Sequence, residues 1–164
     1  MLNPARGLAL IRIAVGLYFL AEGYDKFSHG WLTNSQPLQR MLQTGLKRMW
    51  PWYARFVQQT VIPHVGLFAR LVTMGELAVG ISLVLGLLTP VGAIGAIWLT
   101  CNYMLQSAPD GLVAGRNRLF MLSGLVFLLS SAGAMWSVDA LLPRLFSLRR
   151  RVFGRARARA SPVD

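Results

Sequence analysis

Four apolar stretches dominate the sequence, at about residues 8–27, 65–88, 91–107 and 119–136. Each is close to the roughly 20 residues that an α-helix needs to cross the hydrocarbon core of a bilayer. A chain in lipid must satisfy its backbone hydrogen bonds internally, and single stretches of this length do so as helices. The sequence therefore predicts an all-α integral membrane protein, folded as a bundle of four transmembrane helices.

The composition supports a lipid environment for most of the surface. Hydrophobic residues make up 54% of the 164 residues and charged residues only 14%, whereas a soluble domain carries about a quarter charged residues. A chain of this length is accounted for by one domain. No small-x-small cleavage site follows Leu20, so we interpret the first stretch as a retained span and not as a signal peptide.

The segment between the first two spans, residues 28–64, has a different pattern. From Leu38 onwards its apolar residues recur with helical spacing, while glutamine, arginine and lysine occupy the other face. Ser35 and Pro37 are typical of a helix start. The stretch WPWY at residues 50–53 then ends the helix and supplies aromatic side chains of the kind found at membrane interfaces. We therefore expect an interfacial amphipathic helix on the membrane surface.

The C-terminal end is strongly basic, so we divide the chain into a membrane domain at residues 1–143 and a tail at residues 144–164, which we expect to be disordered. The tail contains seven of the 17 lysine and arginine residues: Arg144, Arg149, Arg150, Arg151, Arg155, Arg157 and Arg159. A nucleic-acid-binding arm is one interpretation of this charge. We favour contact with anionic lipid, because a basic segment directly after a hydrophobic span is typical of the cytoplasmic membrane surface.

Four spans place both termini on the same side of the membrane. The basic residues divide almost equally between the two sides, but those of the tail are dense and lie close to a span. By the positive-inside rule we predict a multi-pass protein of the plasma membrane, a bacterial inner membrane, with both termini in the cytoplasm.

Ionisable residues inside the predicted spans are costly in lipid, so they are usually buried in the bundle, paired and functional. By helical rise, Glu22 and Arg70 lie at similar depths and are expected to meet across the first two spans. Glu76 lies deeper, and Arg12 approaches it from the opposite side. The predicted ligand-binding or proton-linked cluster, which opens outward, comprises Arg12, Glu22, Asp25, Lys26, Arg70, Glu76, Asn102 and Gln106. The alternative is an ion-pair and amide network that only stabilises the bundle.

No motif assigns catalytic residues. Cys101 is the single cysteine, which leaves no dithiol and no thiolate cluster for a metal. His29 and His64 lack the spacing of metal ligands, and no phosphate-binding loop or serine-nucleophile motif occurs. The sequence therefore predicts no metal site and no covalently bound cofactor, and it leaves open whether the chain is an enzyme.

Four short motifs resemble one known family. Residues 10–16 read LIRIAVG and residues 23–27 read GYDKF, which contain the Arg-x(3)-Gly and Gly-x-x-Lys that mark the first helix of that family. Residues 75–80 read GELAVG and residues 85–90 read LGLLTP, which match its second helix, a Glu followed by Gly and then Leu-Gly-Leu-x-Thr. Over about residues 8–136 the chain resembles the DoxX/DoxD family of small four-helix membrane proteins, whose motifs do not include the interfacial loop or the tail.

The resemblance implies that Arg12, Lys26 and Glu76 are the family-typical polar residues of this chain. The family takes its name from a subunit linked to thiosulfate:quinone oxidoreductase, and other members are associated with membrane oxidoreductase complexes. Many members have no assigned reaction. Because only one cysteine is present, a thiol mechanism is not carried over.

Two functions follow as hypotheses. In the first, the protein is a redox-linked subunit that binds a quinone or a small sulfur-containing anion. Lys26 and Arg70 would hold the anion, and Glu22 or Glu76 would relay protons. No flavin, haem or iron–sulfur motif occurs, so electrons would come from an oxidoreductase partner subunit or a quinone. In the second, the protein is a non-catalytic membrane anchor or assembly scaffold for an oxidoreductase complex, and its loop and tail contact the partner.

Overall fold

The computed structural model describes residues 4–107, 112–130, 136–139 and 141. Within these ranges all regular secondary structure is helical, and no strand occurs. The α-helices are α1 (Pro4–Ser28), α2 (Gln36–Gly45), α3 (Pro51–Phe56), α4 (Val65–Leu85), α5 (Thr89–Gln106) and α6 (Leu112–Leu129). A 3₁₀ turn (Leu46–Arg48) follows α2, and a π turn (Val57–Val61) follows α3.

The four apolar stretches of the sequence correspond to α1, α4, α5 and α6. Of these, α1 and α4 are long and apolar enough to cross a membrane, by length and composition alone. Helix α6 begins at Leu112, before the predicted span, so Arg116 and Arg118 lie within the helix. The all-α fold class is confirmed, whereas the four-span arrangement stays a prediction. The basic tail lies outside the described residues.

Helices α1 and α4 pack antiparallel with their backbones in contact. A Cβ atom at Gly80 would lie 2.6 Å from the backbone nitrogen of Leu20, and a Cβ atom at Gly16 would lie 2.7 Å from that of Val84. Any side chain at either glycine would push the helices apart, so small residues set the distance between them. These contacts also set the register of the pair, because Gly16 faces Val84 and Leu20 faces Gly80. The residue numbers of each facing pair add up to about 100.

A tight turn joins α4 to α5, and Thr89 and Pro90 begin α5. Gly86 (φ 62°) ends α4 in the left-handed conformation, and Leu88 (φ 51°) adopts the same region. The carboxylate of Asp139, which follows α6, accepts hydrogen bonds from the backbone N–H groups of Leu88 (2.8 Å) and Thr89 (2.9 Å). The segment after α6 therefore holds the beginning of α5.

Two apolar clusters hold these helices together. The first lies at the centre of the bundle and comprises Val15, Phe19, Val79, Leu83, Ala93, Ala96, Leu99 and Phe127. The second joins residues 28–64, which we call the interfacial segment after their predicted location, to α4. It comprises Leu38, Leu42, Met49, Tyr53, Val57, Val61 and Ala69. The amphipathic helix predicted in this segment is α2, although Met41 and Trp50, which the spacing assigned to its apolar face, are exposed. The segment packs on the bundle and encloses a space beside α4 and α5.

Candidate functional site

The site begins with three polar side chains on one face of α1. Tyr18, Glu22 and Lys26 follow each other at four-residue intervals, which places them on one side of a helix. The Tyr18 hydroxyl donates to Glu22 Oε1 at 2.9 Å, and Lys26 Nζ lies 3.1 Å from Glu22 Oε2. The Glu22 side chain is 40% exposed. It is therefore the accessible carboxylate of this series.

Lys26 connects this series to α4. Its ammonium lies 2.8 Å from Oε2 of Glu76, whose side chain is only 1% exposed. Lys26 Nζ also lies 5.7 Å from the centroid of the Trp31 ring, within range of a cation–π interaction. Glu76 is thus a deeply buried carboxylate whose charge is balanced by a lysine shared with a second carboxylate.

Helix α5 contributes the last member. The Tyr103 hydroxyl donates to Glu76 Oε1 at 2.5 Å. At the other end, the guanidinium of Arg116 on α6 lies 5.3 Å from the centroid of the Tyr18 ring. We call the connected side chains the ion-pair chain; it comprises Tyr18, Glu22, Lys26, Glu76 and Tyr103. The ion-pair chain extends over three helices, from Tyr18 on α1 to Tyr103 on α5, and includes the partly exposed carboxylate of Glu22.

A cavity of about 370 Å³ lies between the interfacial segment and helices α4 and α5. Its walls are mostly apolar, and they include α2, α3, the π turn and one face each of α4 and α5. Its polar lining residues are Tyr53, Asn102, Tyr103 and Gln106. The cavity therefore combines an apolar wall with a few polar groups, as is usual for a small-molecule site.

Two of these polar groups bind each other. The Tyr53 hydroxyl donates to Asn102 Oδ1 at 3.1 Å, and Asn102 Nδ2 donates to the carbonyl of Trp98 at 2.8 Å. Burial raises the pKa of Tyr53, so its hydroxyl stays protonated and remains a donor. Tyr103 belongs both to the cavity wall and to the ion-pair chain. It is the point at which the two features meet.

Arg12 lies at the opposite end of α1, about 21 Å from Lys26 along the helix axis. The Arg12 side chain is fully buried, and its Nη2 donates to the carbonyl of Trp136 at 2.7 Å. Burial opposes ionisation of the nearby Asp139, but the N–H groups of Thr89 and Leu88 and the charge of Arg12 hold the pKa of that carboxyl below its ordinary value. Arg12 thus belongs to a structural junction and not to the ion-pair chain.

The structure brings Glu22, Lys26 and Glu76 together, but it gives Arg70 and Asp25 other partners. Arg70 Nε donates to the carbonyl of Leu32 at 3.0 Å. Asp25 Oδ1 lies 3.3 Å from His29 Nδ1 on the exposed side of α1. Glu22 pairs with Lys26 and not, as predicted, with Arg70. Arg12 does not approach Glu76.

The register of α1 and α4 explains these differences. A Cβ atom at Gly23 would lie 2.9 Å from the backbone nitrogen of Leu77, which places Glu76 beside residues 22–26. Alignment of the outer ends of the two predicted spans displaces α4 by about two turns from its position in the structure. Asn102 and Gln106, the remaining predicted residues, line the cavity. Sequence reasoning missed Tyr18, although its four-residue spacing from Glu22 was a usable signal.

Residues 7–105 match the sequence model of DoxX, which is more than half of the chain. The chain belongs to the DoxX family. The match contains the whole ion-pair chain and nearly all of the cavity wall. The resemblance drawn from the first two spans is thereby confirmed.

A curated relative supports the same assignment. The uncharacterized membrane protein Rv3486 of Mycobacterium tuberculosis (strain ATCC 25618 / H37Rv) is 36% identical over 151 residues, which covers 82% of this chain and 80% of the relative. No solved structure matches the chain significantly. Family membership and this relative identify a membrane protein, in agreement with the apolar helices α1 and α4.

Proposed function

We propose that this DoxX-family protein is a redox-linked subunit of a membrane oxidoreductase complex, and that it binds a quinone in the cavity beside the ion-pair chain. The observation that carries the proposal is the double position of Tyr103. This residue lines the cavity, and its hydroxyl donates to the buried carboxylate of Glu76. A ligand in the cavity would therefore lie beside groups that can supply or accept protons.

The cavity has the properties that a quinone head group requires. Its volume of about 370 Å³ falls within the range of about 300–1,000 Å³ that is usual for small-molecule sites. A quinone ring is apolar on both faces and carries carbonyl oxygens at its edge, which accept hydrogen bonds. Apolar side chains would contact the faces, and the amide of Gln106 lies in the cavity wall as a donor to a carbonyl. The hydroxyls of Tyr53 and Tyr103, which donate to Asn102 and Glu76 in this structure, would reach a carbonyl by exchanging those acceptors for the ligand.

The ion-pair chain supports proton exchange with such a ligand. Reduction of a quinone to a quinol takes up two electrons and two protons, and oxidation releases them. From Tyr103 the hydrogen-bonded series runs through Glu76 and Lys26 to Glu22, which is partly exposed. We assign to this series the movement of protons between the cavity and the protein surface, since intramembrane carboxylates in pumps and transporters have that role.

A quinone is favoured over a small anion as the ligand. The ammonium of Lys26 is flanked by the carboxylates of Glu22 and Glu76, at 3.1 and 2.8 Å. These two negative charges would repel an anion that approached the lysine. Arg70 lies elsewhere, with its Nε bound to Leu32, so it does not complete an anion site with Lys26.

Electrons would pass between the quinone and a partner subunit, because the sequence carries no flavin, haem or iron–sulfur motif. The interfacial segment and the basic tail are the surfaces that we assign to this partner and to anionic lipid. The plasma-membrane location with cytoplasmic termini is part of the same proposal.

The test is quinone binding by the full chain in lipid nanodiscs. Tyr103→Phe keeps the ring but removes the hydroxyl, so we expect quinone affinity to fall about three- to tenfold, as for the loss of one hydrogen bond. Glu76→Gln should alter the pH dependence of binding. The matched control is Asp25→Asn, which changes an exposed carboxylate on α1. It should leave both the quinone affinity and its pH dependence unchanged.

The anchor hypothesis predicts a different result. If the protein is only a scaffold, quinone affinity will be absent or insensitive to Tyr103→Phe and Glu76→Gln. Deletion of residues 149–164 will then abolish capture of the partner subunit while the membrane domain stays folded. That combination would contradict the proposed quinone site.

A further inference from the structure

A second cavity continues from the first along helices α4 and α5. Its volume is about 470 Å³, and it shares Gly75, Val79 and Gly95 with the first cavity. Beyond these shared residues it is lined by side chains closer to the α4–α5 turn, among them Ala78 and Val91. The two cavities therefore adjoin along α4 and α5, and we call them together the groove.

The groove runs along the helix axes. On α4 its wall residues extend from Phe68 to Ser82, and on α5 from Gln106 to Val91. At 1.5 Å per residue these stretches are about 21 Å and about 22 Å long. This is about two thirds of the roughly 30 Å hydrocarbon thickness of a bilayer. The space therefore suits an extended chain better than a compact molecule.

The chemistry of the wall changes along this length. The amide and hydroxyl groups that line the first cavity, those of Tyr53, Asn102, Tyr103 and Gln106, are absent from the second. The described lining of the second is aliphatic or glycine, apart from Ser82. The Ser82 hydroxyl already donates to the carbonyl of Leu87 at 2.7 Å, so it does not need a hydrogen-bond acceptor from a ligand. An elongated ligand with one polar end fits this polarity.

We infer that the second cavity holds the isoprenoid tail of the quinone whose head group occupies the first. The inference rests on the proposed function and specifies its ligand as a quinone with a tail of several isoprenoid units. The tail would lie between α4 and α5 and point toward their connecting turn. Each buried CH₂ group adds to affinity, so tail length becomes a determinant of binding.

Ala78 gives a variant that separates the tail from the head. Its side chain is exposed and lines the second cavity but not the first. Ala78→Phe therefore fills the groove from the lipid side without disturbing the core. Met74→Phe is the matched control, because Met74 is 54% exposed on the same helix and lines neither cavity.

The experiment measures binding of two probes with one head group, a benzoquinone with a single isoprenoid unit and one with several units, to the full chain in phosphatidylcholine nanodiscs. Comparison between variants cancels the different partitioning of the probes into lipid. We expect Ala78→Phe to weaken binding of the long-tailed probe about tenfold relative to the wild type. Binding of the short-tailed probe by this variant, and of both probes by Met74→Phe, should be unchanged.

Two other results would overturn the inference, and they can be told apart. If the wild type binds the short-tailed probe and Ala78→Phe weakens neither probe, or both equally, the head site stands but the second cavity does not hold the quinone tail. If the wild type binds neither probe, the proposed quinone function fails and the tail assignment fails with it.

Discussion

Lys26 on α1 and Glu76 on α4 form an ion pair of 2.8 Å in which the carboxylate is almost fully buried. The same ammonium binds Glu22 at 3.1 Å, so one lysine serves two carboxylates. This relationship fixes the polar centre of the bundle between two helices whose backbones touch. It also places Glu76 beside Tyr103 and the cavity.

The ion pair predicts strong coupling between its two members. Lys26→Met leaves the buried Glu76 carboxylate without its cation, and we expect the free energy of unfolding to fall by about 3 kcal/mol. The double variant Lys26→Met/Glu76→Gln should recover most of that loss. Denaturant unfolding of the four proteins of this cycle measures the coupling. Additive losses would contradict the buried pair.

The close approach of α1 and α4 predicts that Gly80 cannot be enlarged. A Cβ atom at Gly80 would lie 2.6 Å from the backbone of Leu20, so Gly80→Ala should destabilise the protein by about 1–3 kcal/mol, as expected for overpacking. Gly7→Ala is the control, since a Cβ atom at Gly7 would meet nothing within 4 Å. It should be neutral or stabilising, by up to about 1 kcal/mol. Equal effects of the two substitutions would exclude the proposed packing.

Asp139 predicts a pH-dependent contribution to stability. Its carboxylate caps the beginning of α5, and Asp139→Ala should cost about 1 kcal/mol at neutral pH. The native pKa is lowered, so this contribution is present above the ordinary carboxyl pKa of about 3.9 and is lost as the pH falls through the lower native pKa. The difference in unfolding free energy between wild type and variant should therefore shrink below about pH 4. A difference that grows on acidification would be inconsistent with the cap.

Leu88 offers a stabilising substitution. It adopts φ 51°, a conformation that costs a non-glycine residue roughly 1 kcal/mol. Its backbone N–H, which binds Asp139, is retained in any variant except proline. We expect Leu88→Gly to raise the free energy of unfolding by up to about 1 kcal/mol, whereas Leu88→Ala should not raise it. A thermal-unfolding comparison of the three proteins checks this.

The helical architecture could be predicted from the sequence because hydropathy and turn residues are local signals. The four apolar stretches and the amphipathic helix are visible without knowledge of the fold. The three residues Arg12, Lys26 and Glu76 could also be named, since the family motifs contain them. These features need no information about how one helix lies against another.

The partners of the charged residues could not be predicted, because they depend on helix register. The positions of Gly16, Gly23 and Gly80 determine that register, and a displacement of two turns was enough to pair Glu22 with Arg70 instead of Lys26. The cavity could not be predicted from the sequence either. It forms only when the interfacial segment packs on α4 and α5 and brings Tyr53 to Asn102, contacts between residues far apart in sequence.

The central claim is that a quinone binds between the interfacial segment and helices α4 and α5, and photo-crosslinking tests it most directly. A photoreactive quinone is added to the full chain in nanodiscs, and the labelled peptides are identified by mass spectrometry. We predict labelling within residues 53–61 and 98–106, which is suppressed by excess unlabelled quinone and reduced in Tyr103→Phe. Labelling that avoids both segments, or that excess quinone does not suppress, would contradict the account.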